Sequence, residues 1–161
     1  MSADQALKAR LRSDLTEAIR ARDEVTSATL RMALTAVRAQ EVSGDTAREL
    51  DDPEIVAVLG REAKKRREAA EAYDAASRPE LAERERAELS VLDAYLPAQL
   101  PDDELAALVA SEVAAAAAAG STGMPAMGRV MKALQPQVAG RAEGGRVAAE
   151  VRRQLQASPQ G

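Results

Sequence analysis

Arg129, Lys132, Arg141 and Arg146 are the side chains whose type and spacing best suit a chemical role, and that role is holding an anion. They lie within Met127 to Val151, MGRVMKALQPQVAGRAEGGRVAAEV, where two cationic helical segments flank a glycine-rich connection. In the first segment Met127, Val130, Met131 and Leu134 recur at i, i+3, i+4 and i+7, which predicts a helix over about Pro125 to Leu134 with Arg129 and Lys132 on its outer face. In the second, Val147, Val151 and Leu155 point inward, and Arg146 and Arg153 share the outer side. The connection Gly140-Arg-Ala-Glu-Gly144-Gly145 has two readings. Its glycines could let backbone N–H groups cradle a phosphate ahead of a helix N-terminus, or they could simply make the turn between two short helices, which is the preferred reading.

No constellation of residues announces a reaction. The chain has no cysteine and no histidine, which removes thiolate nucleophiles, disulfides, the commonest metal ligand and the commonest general base. Phosphate-loop, dinucleotide-binding and serine-elbow motifs are also missing. We therefore expect no catalytic residue, no metal and no cofactor, and no enzyme activity from the chain on its own. No apolar run approaches the ~20 residues of a membrane span, so a cytoplasmic protein is expected.

The net charge of −4 is unevenly placed. Residues 1–100 hold 16 Lys and Arg against 20 Asp and Glu, whereas residues 120–161 hold six bases and two acids. A basic end thus follows an acidic body, and charge distribution bears on partners more than the total does.

The elements that must carry these cations read as helices throughout. Alanine, leucine, glutamate and arginine dominate, and Tyr73 and Tyr95 are the only aromatics, so the predicted class is all-α. A first helix is expected from the capping pattern Ser2-x-x-Gln5, with Leu7, Leu11, Leu15, Ala18 and Ile19 on one face. A second, about Glu24 to Val42, spreads Val25, Leu30, Met32, Leu34, Ala36 and Val37 over a wide apolar arc, leaving Arg31 and Arg38 a narrow polar strip. A third is expected to start at Asp52 as N-cap with Pro53 behind it, and a fourth at Pro79.

The third helix carries Lys64-Lys65-Arg66-Arg67, whose side chains fan around the helix and find acids at i,i+4, so the run reads as a self-neutralised face. Arg66 falls inside the apolar stripe, and Asp14 lies at the edge of the stripe on the first helix. The two form a candidate structural ion pair. Pro97 and Pro101 bracket Tyr95-Leu-Pro-Ala-Gln-Leu-Pro101, which cannot continue a helix. The expected division is a larger domain of about four helices over 1–98, a small three-helix domain over 99–156, and a disordered tail over 157–161.

Taken together, Leu11 to Asp23 (LRSDLTEAIRARD), Thr29-Leu-Arg31, Arg61 to Glu71 (REAKKRREAAE), Tyr95-Leu-Pro-Ala-Gln-Leu100 and Met127 to Gly144 resemble the GatB/YqeY family, specifically its stand-alone YqeY-like members. Two positions depart from the family pattern: Pro101 stands where a helix-capping Ser is usual, and Glu143 where Asp is usual. The resemblance implies an all-helical protein related to the tail of the B subunit of the glutamine-dependent tRNA amidotransferase, a carbon–nitrogen ligase with glutamine as amido-N-donor. That tail engages tRNA and is not the catalytic part. The resemblance thus implies tRNA as a partner, with Arg129, Lys132, Arg141 and Arg146 as candidate contacts chosen on charge and wheel position. The other reading is an adaptor of the translation machinery that docks an amidotransferase or synthetase without touching RNA.

Overall fold

The computed structural model describes residues 6–157, and all of the regular structure among them is helical. The chain divides between Leu96 and Pro97 into two compact units, each with its own apolar core. The capping pattern expected at Ser2 to Gln5 and the tail beyond Ala157 lie outside the described residues.

The first unit holds α1 (Ala6–Arg20), α2 (Glu24–Glu41), α3 (Asp52–Ala75) and α4 (Pro79–Asp93). Their apolar faces meet at Leu11, Leu30, Val37, Ile55, Leu59 and Leu92, each with almost no exposure. At roughly 25 cal/mol per Å² of apolar surface removed from water, this burial is what holds the helices together. Two tight turns are made without glycine. Arg22 and Ser77 adopt φ of 57° and 58°, left-handed values that end α1 and α3. Asp23 then caps α2, accepting from the Thr26 amide at 3.0 Å and its hydroxyl at 2.7 Å, and these hydrogen bonds hold its carboxyl below the usual range.

The start of α3 differs from the sequence expectation. The N-cap is Asp51, which accepts from the Glu54 amide at 2.9 Å while the Glu54 carboxylate accepts from the Asp51 amide at 3.0 Å. This reciprocal pair is a capping box. Asp52 is thereby free to act elsewhere, and its carboxylate accepts the Leu7 amide at 3.1 Å, satisfying an orphan donor in the first turn of α1.

The proposed Asp14–Arg66 pair is not formed. Arg66 is buried, as its place in the stripe implies, but its partners are Glu62 at 3.0 Å on its own helix and Glu88 of α4 at 3.4 Å. Asp14 accepts from the Tyr95 hydroxyl at 2.5 Å and lies 3.7 Å from Arg10, whose guanidinium sits 4.6 Å above the Tyr95 ring. Wheel position tells which way each side chain faces and not which helix faces it.

A second buried pair has no sequence signal. Lys8 donates to Glu41 at 2.5 Å, and the Glu41 side chain is only 1% exposed. Burial pushes the Glu41 carboxyl up, yet the hydrogen bonds from Lys8 and the Leu50 amide, with Lys8 and Arg38 as nearby cations, hold it below its ordinary value.

α2 also buries less than its composition implies. Leu30, Ala33 and Val37 face the core, whereas Val25 and Met32 are close to half exposed.

The second unit holds α5 (Asp102–Ala118), a 3₁₀ turn (Met124–Ala126), α6 (Met127–Val138) and α7 (Gly144–Ala157) around Leu105, Val109, Val130, Leu134, Val147 and Val151. Ala157, expected in the tail, is the last residue of α7. α6 runs four residues past the expected end at Leu134 and contains Pro136. A proline inside a helix costs about 3 kcal/mol, and burial of Val138 against the unit's core offsets part of that.

Candidate nucleic-acid interface

The four candidate cations separate into two kinds. Arg129 and Lys132 are exposed on α6, three residues apart on neighbouring positions of one helix face, and neither has an ion-pair partner among the described residues. Their position follows from the core pattern, because burying Val130 and Leu134 turns residues 129 and 132 outward.

Arg146 is instead structural. It reaches from α7 to donate to the Leu100 carbonyl at 2.6 Å and to the Asp102 carboxylate at 2.7 Å, closing the start of α5 against the start of α7. Arg141 lies between these cases, half exposed and 4.0 Å from Glu104. The acids crowding the first turn of α5 thus neutralise part of the basic end. α5 has Pro101 as its N-cap and no side-chain cap. Of the remaining cations of this unit, Arg153 is tied to Glu150 at 2.5 Å, whose carboxyl is drawn down to about 2 by that hydrogen bond and one from Gln154. Arg152 is exposed, with no ion-pair partner among the described residues. Sequence reasoning passes over Arg152, although it flanks the inward Val151 and the wheel could have found it.

The glycine-rich connection is a turn. Gly140 takes φ of 72°, a value L side chains avoid, and the amides of Arg141 and Ala142 both bond the Val138 carbonyl, at 2.9 and 3.1 Å. The Leu100 amide donates to the Arg141 carbonyl at 2.8 Å and pins the turn. The amides of residues 141 and 142 are therefore spent, which leaves them no donor for a phosphate.

A groove of about 460 Å³ opens between α6 and α7, floored by Met131, Val138, Ala139, Ala142 and Val147, with Lys132 and Gln135 on its polar side. No acid lines it. Among the described residues no group of acidic side chains is arranged to hold a metal ion, and no helix is long and apolar enough to cross a membrane.

Two small helical bundles, one of them carrying Arg129 and Lys132 on an outward helix face, define the class: an all-helical protein. The family model of Yqey-like proteins matches residues 8–155, and the chain belongs to that family. No curated protein matches the chain.

Proposed function

We propose that this protein is a cytoplasmic, non-catalytic module that contacts tRNA through the outward cations of its second unit, in the manner implied by its resemblance to the tail of the tRNA amidotransferase B subunit. The observation that carries this reading is the pair Arg129 and Lys132, exposed, on one helix face and free of any ion-pair partner among the described residues. Cations already satisfied by acids gain little from a phosphate, whereas unpaired ones displace the counterions condensed on it. Arg141 contributes after parting from Glu104, and Arg146 contributes only by holding the fold. Both tyrosines lie in the first unit, so the contact is to phosphates and shape rather than by stacking on bases.

The test is a titration of unfractionated tRNA over a series of salt concentrations. Arg129→Gln with Lys132→Gln should flatten the slope of log affinity against log salt by about 2, since each lost phosphate contact removes about 0.9. Thermal stability should stay as in the wild type. Arg146→Gln should show the reverse pattern, with a lower melting temperature and a nearly unchanged slope. Absence of binding, or a double variant with the wild-type slope, sinks the proposal.

A further inference from the structure

We propose that the outward face of α2 docks an acidic amphipathic helix of a partner protein. Val25, Ala28, Met32, Thr35, Ala39 and Val42 follow one another at spacings of three, four, three, four and three residues, and every one of them is exposed. That is the spacing of a coiled-coil seam, and here it runs on the side of α2 opposite its buried face of Leu30, Ala33 and Val37. The stripe carries no charge along about 21 Å of α2 from Val25 to Ala39, at 1.5 Å per residue, and Val42 at the C-cap continues it. The Met32 sulfur accepts from Arg66 of α3 at 3.7 Å, but the rest of the stripe is turned to water, and a helix face that meets water normally carries charges. Its three larger members, Val25, Met32 and Val42, are 43%, 46% and 48% exposed, and the small Ala28, Thr35 and Ala39 between them let another helix approach closely.

Charge selects the occupant. Arg31 and Arg38 run along one flank of the stripe, seven residues apart. Arg31 has no ion-pair partner among the described residues, and Arg38 is 73% exposed although 3.7 Å from the buried Glu41. The first unit as a whole has more acids than bases, so this cationic flank is a local exception. A helix with apolar residues at the seam and Glu or Asp beside it meets both features, and opposite charges at such flanking positions set partner choice. A second copy of α2 brings the same two arginines, and its one acid on that side, Glu24, sits at the helix start. RNA would find two cations there beside an apolar stripe that adds nothing to phosphate binding.

The surface lies in the first unit and is independent of the cations of α6, so either proposal can fail alone. The probe is a designed three-heptad peptide with Leu at the seam and Glu at the flanks, labelled for fluorescence anisotropy with the full chain. A second peptide has Lys in place of every Glu. The acidic peptide should bind, and the basic one should bind more weakly by about tenfold or more. Ala28→Glu with Ala39→Glu, exposed and helix-compatible, should weaken acidic-peptide binding by about tenfold or more, as should Arg31→Glu. In the wild type, backbone resonances of residues 24–42 should shift on peptide addition while those of α5 to α7 do not. No binding, binding that ignores these substitutions, or shifts outside α2 overturns the proposal. So does sedimentation showing a wild-type dimer that the double variant abolishes, because the occupant would then be a second copy.

Discussion

Lys8 and Glu41 show what a single side chain contributes here. Each is charged, each is buried, and their 2.5 Å contact joins α1 to the end of α2. Removing Glu41 leaves the buried Lys8 with only the exposed Glu49, 3.9 Å away. Glu41→Gln is therefore expected to cost roughly 3 kcal/mol near neutral pH, whereas Lys8→Met with Glu41→Met should cost far less because both charges go together. Urea titration measures both. The pH dependence follows from the direction of the Glu41 shift: its folded carboxyl binds protons less readily than its unfolded one, whose ordinary value is 4.5. Its contribution is complete above that value and is lost as pH falls through the lower folded value, so the gap between wild type and Glu41→Gln should narrow in acid. Neither residue is legible as a pair, since 33 positions separate them and a charge near an apolar stripe reads as its solvated edge. The Asp14–Arg66 pairing fails for the complementary reason. Periodicity places Arg66 inside correctly, but it says nothing about which carboxylate on another helix arrives there, and Glu88 does.

At the scale of the element, helix existence is the most legible feature, because alternations such as Leu105, Val109 and Val130, Leu134 leave little choice of inward face. The ends are less legible. Arg22 and Ser77 close helices in left-handed conformations that ordinarily call for glycine, and Asp51 rather than Asp52 caps α3, with Asp52 bonding the Leu7 amide instead. Pro136 reads as a terminus, yet α6 passes through it to bury Val138. Pro136→Ala should consequently stabilise the second unit by about 1 to 3 kcal/mol, by restoring the amide to Lys132's carbonyl and relieving the ring's clash with it. A melting temperature at or below that of the wild type would contradict this. The same limit of scale explains the candidate cations: a wheel drawn for α7 alone places Arg146 outward, but Asp102 and the Leu100 carbonyl stand in its path.

At the scale of the whole molecule, the two apolar cores share no residue, one drawn from residues 7–96 and the other from residues 100–155. Units with separate cores need not unfold together. Far-ultraviolet circular dichroism records helix in both, while tyrosine emission comes from Tyr73 and Tyr95, which both lie before Pro97. The two signals should accordingly give different urea transitions, with emission following only one step of the helical signal. Coincident curves would mean a single cooperative molecule. The charge segregation read from sequence survives in the fold only in part, because α5 brings its acids against Arg141 and Arg146. The Asp14–Tyr95 hydrogen bond gives the chain's placement of aromatics a practical edge. The reporter in the first unit is coupled to a carboxylate and an overlying guanidinium, so its emission registers local rearrangement there. The second unit, with no tyrosine or tryptophan, is optically dark in the near ultraviolet. An RNA contact confined to that unit would touch no tyrosine, so an absorbance change that leaves tyrosine emission untouched would report on the RNA alone.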